Sequence, residues 1–280
     1  MAALERNIAA QRRRRLGKLS SPRLAYSKAL EYRARLFGPT VKTTRTFFGS
    51  PMRVIFPDRV SASIYRYGFF EAELTRAIVA LLRPGMVFFD VGAHIGYFSL
   101  LARWCVGRTG AVHAFEPTPS TYRLLVENVG GQAHLNDIAV LDGEADIELS
   151  DFGWEFSAFN SVVDDRLVGK RHATVPRERV VVRTLSLDAY SEQTGVRPDV
   201  IKVDAEGAEA RILRGAERLL ADVRPVMTLE VGKRDPSREN IEFLERRGYT
   251  PFEVRDNGEL VTHEVRDVYR YDNLIFLPAA

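Results

Sequence analysis

Hydrophobic and polar residues follow one another along this chain in a way that predicts a regular succession of strands and helices. Short runs that are apolar throughout predict strands covered on both faces, as in a parallel sheet. Between these runs apolar residues recur at helical spacing, as Leu74, Ile78 and Leu81 do within 69–82. The predicted strands are 52–56, 86–90, 111–116, 133–140, 200–204, 226–231 and 273–277, and the predicted helices are 20–36, 69–82, 95–106, 120–129, 208–220 and 238–247.

This succession predicts the fold class. Repeated strand–helix units favour an α/β fold with a doubly wound, mostly parallel sheet. The segment Asp256-Asn257-Gly258 is a strong hairpin signal before the last strand, and it indicates an antiparallel C-terminal edge. Residues 145–187 interrupt the alternation with two strands that bracket a long loop.

Length and composition narrow the class of protein. A chain of 280 residues, 45% hydrophobic and 28% charged, is typical of one large globular domain with or without an extension. No run reaches the roughly 18 apolar residues of a membrane span, and no secretory signal precedes the first strand. The lone Cys105 excludes an intrachain disulfide and a cysteine zinc cluster, so we expect a cytoplasmic protein.

Charge divides the chain unevenly. The net charge is +3, yet residues 1–53 hold thirteen Lys and Arg against Glu5 and Glu31, so the remainder is acidic. We therefore divide the chain into a basic, helical extension at 1–50 and a catalytic domain at 51–280. The extension could touch nucleic acid or an anionic membrane, but packing on the core or on a second subunit, as in a homo-oligomer, is favoured.

Acidic residues stand at the carboxyl ends of the predicted parallel strands, where open sheets of this kind bind ligands. They are Asp90, Glu116, Asp204 with Glu206 two residues on, and Glu230. Carboxylates that converge on one rim repel each other unless a positive group lies among them. The pattern therefore predicts a pocket for a cation.

The turn after the first of these strands indicates which cation. In Asp90-Val91-Gly92-Ala93-His94-Ile95-Gly96 an acid directly precedes the first glycine, which a pyrophosphate would disfavour. S-adenosylmethionine carries an ammonium and a sulfonium instead, and the two glycines would let backbone approach it. Glu116, 26 residues after Asp90, stands where an acid accepts ribose hydroxyls.

Lys202 is unusual because it lies within a predicted buried strand. A buried ammonium is costly unless it is paired, so we expect an ion pair with Asp204 or a neighbouring carboxylate. Two roles remain open for Lys202: it orients the substrate or the base, or it forms a purely structural salt bridge.

Several stretches together resemble the FkbM family of methyltransferases. They are Phe88-Phe89-Asp90-Val91-Gly92-Ala93-His94-Ile95-Gly96-Tyr97, Ala114-Phe115-Glu116-Pro117, Ile201-Lys202-Val203-Asp204-Ala205-Glu206-Gly207-Ala208-Glu209, Leu213-Arg214-Gly215-Ala216 and Leu229-Glu230-Val231. The resemblance covers roughly residues 52–277. It implies a Rossmann-like class I methyltransferase fold with seven strands, S-adenosylmethionine as donor, and O-methylation of a sugar or secondary-metabolite hydroxyl.

The resemblance also implies site residues. Asp90, Gly92, Ala93, His94 and Gly96 would line the methionine end of the donor, with Glu116 at the ribose. Asp137 and Ala139 would meet the adenine. Tyr67 and Glu71 would cover the cofactor, although Tyr67 could equally pack in the core.

Methylation of a hydroxyl requires a base that takes its proton. Asp204 is the first candidate, Glu206 and His94 follow, and Lys202 would orient the reacting groups. Asp204 and Glu206 could bind Mg²⁺, but no complete ligand set accompanies them, so no metal is expected. Asn160, Ser161 and Glu230 would contact the acceptor, with 145–187 as a substrate-side insertion.

Three other functions compete with this interpretation. An NAD-dependent oxidoreductase is disfavoured by Asp90 and by the imperfect glycine turn. A nucleic-acid methyltransferase would use the basic arm, yet the chain lacks an Asn/Asp-Pro-Pro-Tyr/Phe segment and a Pro-Cys nucleophile. A non-catalytic scaffold is disfavoured because acids stand at all the strand ends.

Overall fold

The structure, a computed structural model, describes residues 1–15, 22–154, 178–205, 207–232, 237–255, 257–266, 269 and 272–279. Its helices are α1 (Ala2–Arg15), α2 (Pro22–Phe37), α3 (Arg59–Tyr67), α4 (Ala72–Leu81), α5 (Tyr97–Val106), α6 (Pro119–Val129), α7 (Leu187–Thr194), α8 (Glu209–Arg214) and α9 (Ser237–Glu245). Its strands are β1 (Thr40–Arg45), β2 (Pro51–Phe56), β3 (Val87–Val91), β4 (Ala111–Phe115), β5 (His134–Asn136), β6 (Ala139–Val140), β7 (Ala145–Asp151), β8 (Glu178–Leu185), β9 (Val200–Val203), β10 (Val226–Val231), β11 (Tyr249–Val254), β12 (Leu260–Thr262) and β13 (Asp272–Pro278).

The main sheet confirms the expected α/β class. Its order is β12-β11-β13-β10-β9-β3-β4-β5, with parallel pairing from β10 to β5 and antiparallel pairing of β13 with both β10 and β11. The resemblance implied seven strands, whereas the described sheet has eight. The additional strand is β12, which folds back on β11 through the predicted hairpin turn, with Val254 opposite Leu260.

Apolar side chains cover both faces of this sheet, as the continuous apolar strands predicted. Phe88 and Val200 belong to the cluster that contains residues of α4 and α5. Phe89 and Ile201, their neighbours along the strands, belong to the cluster on the other face, with residues of α8 and α9. Successive residues of a strand point to opposite faces, so each central strand contributes to both layers.

The predicted third strand, 133–140, is wrong as one element. Its first part, β5, pairs with β4 in the main sheet, while β6 pairs with β8 in a separate three-stranded sheet of order β6-β8-β7. The Asn136 side chain donates to the carbonyls of Ala114 and His134, and the chain leaves the main sheet beyond it. The two strands predicted within 145–187 are confirmed as β7 and β8, an antiparallel pair.

The N-terminal residues pack on the domain. Leu4 and Ile8 of α1 are buried in the core, and both Glu5 carboxylate oxygens accept hydrogen bonds from Arg76 of α4, at 2.7 and 2.6 Å. Helix α2 matches the prediction for 20–36. Strand β1 pairs antiparallel with β2, so the hairpin crosses residue 50, where the sequence suggested a boundary.

Several helices differ from the sequence prediction. Helices α3 and α7 were not predicted; α3 begins where an Asp58 carboxylate oxygen accepts a hydrogen bond from the Ser61 N–H at 2.6 Å, a standard N-cap. Helix α4 is shorter than 69–82. Helix α8 ends before Gly215, whose backbone lies so close to Leu141 that a Cβ would meet the Leu141 carbonyl oxygen at 2.2 Å. Within the described ranges, no helix combines the length and the apolar character needed to cross a bilayer.

Candidate active site

A cleft opens at the carboxyl ends of β3, β4 and β9, the position where open parallel sheets bind ligands. The turn after β3, the residues after β4 and the loop after β9 form its walls, and β6 and the segment before α4 complete it. Its titratable lining residues are Glu71, His94, Tyr97, Glu116, Lys202, Asp204 and Glu230. The sequence therefore located the cleft correctly.

The glycine turn after β3 is shaped by contacts within the protein. Gly92 has φ +76°, and the N–H groups of Gly92 and Ala93 both donate to the Phe115 carbonyl. A Cβ on Gly92 would lie 1.8 Å from the Asp204 carbonyl oxygen, so only glycine lets the turns after β3 and β9 touch. Gly92 and Ala93 line the cleft.

Gly96 serves packing rather than ligand approach, which corrects the expectation from the sequence. It has φ +89° and does not line the cleft. A Cβ there would lie 2.7 Å from side-chain carbons of both Leu125 and Val129 on α6. The glycine therefore lets α5 begin against α6.

Three donors from the protein hold the Glu116 side chain. Its Oε2 accepts the His94 N–H at 2.9 Å, and its Oε1 accepts the Thr118 N–H at 3.0 Å and the Thr121 hydroxyl at 2.7 Å. The His94 backbone has φ +51°, a conformation that non-glycine residues seldom adopt. Glu116 is 6% exposed and lines the cleft, so its oxygens are hydrogen-bond acceptors held in fixed positions at the cleft wall. The two threonines were not predicted, although they follow the acid closely in the sequence.

Lys202 forms the ion pairs that its position predicted. Its Nζ lies 3.4 Å from Asp90 Oδ1 and 3.3 Å from Asp204 Oδ2, and it donates to the Gly92 carbonyl at 3.3 Å. The Phe98 ring centroid is 5.2 Å from the same nitrogen. Burial opposes the charge, but Asp204, Asp90 and Glu71 together raise the pKa of Lys202 above its ordinary value, so it remains an ammonium.

Asp90 lies beneath the cleft rather than on its wall, contrary to the expectation that it lines the methionine end. Its side chain is 0% exposed, and its Oδ2 accepts a 2.6 Å hydrogen bond from the Ser99 hydroxyl. Asp90 and Lys202 are direct partners in the parallel β3–β9 register, which places their side chains together. Asp90 is therefore connected to the cleft through Lys202, which lines it.

Glu71 interacts electrostatically with Lys202 and Asp204. It is the N-cap residue of α4, has φ +39°, and accepts a hydrogen bond from the Asn273 side chain at 3.2 Å. Burial, followed by repulsion from Asp204, raises the pKa of Glu71 to about 8, although Lys202 and Asn273 act in the opposite direction. Asn273, opposite Glu230 in the β10–β13 register, was missed because no local motif marks it.

Of the other predicted site residues, His94, Ala139, Asp204 and Glu230 line the cleft, but two do not. Tyr67 packs its ring near Phe69, and its carbonyl accepts a hydrogen bond from Asn7, which fits the core alternative. Asp137 lines a second surface hollow, which shares Pro117 and Ile138 with the wall of the cleft. Three predicted residues lie outside the described part of the chain: Asn160, Ser161 and Glu206.

The charge of the lining favours a cationic ligand. Glu116, Asp204 and Glu230 face the cleft, beside Glu71 with its raised pKa, and Lys202 is the only Lys or Arg among the described lining residues. A sulfonium and an ammonium fit such a surface, and a pyrophosphate does not. Over the same described residues, no three His, Cys, Asp or Glu side chains group together in a way that could hold a metal ion.

This chain is similar in sequence to a known protein family and to known proteins. The family of methyltransferase FkbM domains matches residues 90–254. The hexuronic acid methyltransferase AglP of Haloferax volcanii is 30% identical over 56% of this chain and 61% of that protein. The 31-O-demethyl-FK506 methyltransferase FkbM of Streptomyces tacrolimicus is 28% identical over 49% of this chain and 61% of that protein.

A solved structure, methyltransferase FkbM from Methylobacillus flagellatus, superposes with a TM-score of 0.46 at 13% identity, over 78% of this chain and 54% of that one. The chain thus spans about six tenths of the length of the curated relatives that it matches.

Proposed function

This chain belongs to the FkbM methyltransferase family, and from that premise we propose that it transfers the methyl group of S-adenosylmethionine to a hydroxyl of a sugar or secondary-metabolite-type small molecule. The observation that carries the proposal is the anionic lining of the cleft, with Lys202 as its only described Lys or Arg. Two relatives are named as methyltransferases of a hexuronic acid and of 31-O-demethyl-FK506. These names support a sugar or secondary-metabolite acceptor.

The residues around the glycine turn would hold the donor. Glu116, fixed by three donors, would accept a ribose hydroxyl, since its Oε2 receives only one of them and retains acceptor capacity. Ala139, with the neighbouring Ile138, would contact the adenine. Gly92 and His94 would lie along the methionine part, with Asp90 and Lys202 beneath it. When bound, S-adenosylmethionine supplies an electrophilic methyl group on a positively charged sulfur.

Asp204 would accept the proton of the acceptor hydroxyl. It lines the cleft with 22% of its side chain exposed, and only its Oδ2 contacts Lys202, at 3.3 Å. The second oxygen is therefore available to a hydroxyl group. Lys202 would fix the direction of this carboxylate, which combines the structural and the orienting role.

Glu230 and the substrate-side insertion would contact the acceptor. Glu230 is 8% exposed and is the penultimate residue of β10, at the same end of the sheet. Leu149 of β7 reaches the cleft, so the three-stranded sheet adjoins the site. Acceptor specificity would thus come from elements added beside a fixed donor site.

Three experiments test the proposal. Titration calorimetry with S-adenosylmethionine and its demethylated product should detect binding of both; no affinity for either would overturn it. Labelled donor with a panel of sugars and hydroxylated metabolites should then yield a product whose methyl group mass spectrometry locates on oxygen. Asp204→Asn should abolish turnover and preserve donor binding, whereas full turnover would remove Asp204 from the role of base.

A further inference from the structure

Helix α2 presents an apolar stripe to solvent. The stripe recurs at spacings of four, three and four residues, which places its members on one side of a helix. Two of its side chains are large, with Tyr32 68% and Leu36 57% exposed. The stripe consists of Ala25, Ala29, Tyr32 and Leu36, all exposed.

The opposite side of α2 is already used by the fold. It buries Ser27, Leu30 and Ala34 against the domain. The stripe therefore cannot reach the core without lifting α2 away. Phe37, at the end of the helix, is 78% exposed, the highest value among the large hydrophobic side chains of the described residues. An apolar surface of this kind marks an interaction site.

Positive charges border the stripe on both sides. Helical spacing places Lys28 and Arg35 along one edge and Arg33 along the other, and all three are exposed. The only acid of the helix, Glu31, forms an ion pair with Arg66 of α3. The outward face of α2 is therefore apolar in the middle and positive at its margins.

The positions of these charges indicate which kind of partner α2 would bind. A second copy of the same face would bring Lys28, Arg33 and Arg35 against identical charges, which disfavours self-association. Single-stranded nucleic acid is typically bound in a positive groove lined with aromatic rings, whereas the middle of this convex helix holds Ala25, Ala29 and Leu36. An apolar stripe bordered by Lys and Arg matches helices that lie in the surface of an anionic bilayer.

We propose that α2 docks this protein on an anionic lipid bilayer. Tyr32, Leu36 and Phe37 enter the boundary between headgroups and acyl chains, and Lys28, Arg33 and Arg35 contact lipid phosphates. The remaining face of α2 holds the domain through Leu30 and its neighbours. This binding is peripheral and does not depend on the reaction in the cleft.

Co-sedimentation of the full chain with vesicles tests the proposal. We expect binding to vesicles that contain phosphatidylglycerol, little binding to pure phosphatidylcholine, and loss of binding at high salt. Tyr32→Ser/Leu36→Ser should weaken binding by about tenfold or more, because two large apolar side chains are lost. Lys28→Gln/Arg33→Gln should also weaken it. Val126→Ser/Val181→Ser, which changes two exposed apolar residues elsewhere, should bind like the unaltered protein.

Several outcomes would overturn the proposal. One is unaltered protein that stays in solution with anionic vesicles, or that binds neutral vesicles equally well. Another is Tyr32→Ser/Leu36→Ser that binds as tightly as the unaltered protein. A dimer in light scattering that the same variant dissociates would assign the stripe to a second copy. RNA binding abolished by that variant, without vesicle binding, would assign it to nucleic acid.

Discussion

Asp90 and Lys202 face each other across β3 and β9, and their charged atoms lie 3.4 Å apart with almost no access to solvent. The pair sits under the cleft, and Lys202 extends it to Asp204 at the cleft wall. A buried ion pair contributes little net stability compared with apolar residues, but the loss of one partner leaves an uncompensated charge. In the proposed function, the pair would position Asp204.

Removal of the ammonium should destabilise the fold. Lys202→Met leaves the wholly buried Asp90 carboxylate facing an apolar side chain, and we expect a loss of about 3–5 kcal/mol in the free energy of unfolding. Urea denaturation at neutral pH measures it. The double variant Asp90→Asn/Lys202→Met should recover part of the loss. A single variant within about 1 kcal/mol of the unaltered protein would contradict a tight pair.

Glu71 should make the stability fall as pH rises. Its pKa in the folded protein is about 8, against a usual 4.5, so the native state holds a proton that the unfolded state has released between those values. Unfolding free energy should decline across pH 4.5 to 8 by up to about 1.4 kcal/mol per pH unit from this group. Glu71→Gln should flatten the slope, whereas Glu127→Gln, which removes a surface carboxylate paired with Arg53, should leave it unchanged. If the unfolding free energy fell equally steeply with pH in Glu71→Gln and in the unaltered protein, Glu71 would not be the cause of the decline.

Donor binding should release a proton from Glu71. A sulfonium in the cleft favours the charged form of nearby carboxyls and thus lowers the pKa of Glu71, which near neutral pH is mostly protonated. Calorimetry in buffers of different ionisation enthalpy should detect release with S-adenosylmethionine and less with its uncharged-sulfur product. Glu71→Gln should abolish the difference, and its persistence in that variant would locate the proton elsewhere.

Glu116 should determine affinity for donor and product alike, because both carry the ribose. Glu116→Gln removes a charged acceptor, worth about 1.5–3 kcal/mol, so we expect affinity to fall roughly 10- to 100-fold for each. Glu127→Gln provides a control, since that carboxylate pairs with Arg53 on the surface. Unchanged affinity in Glu116→Gln would place the ribose elsewhere.

Gly92 should tolerate no side chain. Gly92→Ala would put a Cβ 1.8 Å from the Asp204 carbonyl oxygen at φ +76°, so the turns must separate. We expect a loss of at least about 2 kcal/mol in stability and weaker donor binding. Gly131→Ala meets nothing within 4 Å and should be neutral in both measurements.

The continuous apolar strands and the acids that follow them sufficed to predict the sheet and its ligand-binding edge. Those signals are local, since burial on both faces requires an apolar run and a strand end places the next side chain at the rim. The break between β5 and β6 carried no such signal, because 133–140 contains neither glycine nor proline. There, Asn136 and the pairing of β6 with β8 decide the structure.

The sequence predicted the contacts of a site residue only where the position of that residue within its own motif indicated them. The ion pairs of Lys202 followed from an ammonium inside a strand. The burial of Asp90 beneath the cleft results from the register between β3 and β9. The spacing of residues along the sequence does not indicate that register. The hydrogen bond from Asn273 to Glu71 joins residues 202 positions apart, and no pattern along the chain could reveal it.

Helix α1 ties the basic N-terminal arm to the domain. Leu4 and Ile8 are almost wholly buried, and Glu5 binds Arg76, which is 71 positions further along the chain. The residues of α1 can therefore fold into place only after α4 has been made. Trimming them as a dispensable tail would expose apolar surface of the domain itself and favour aggregation.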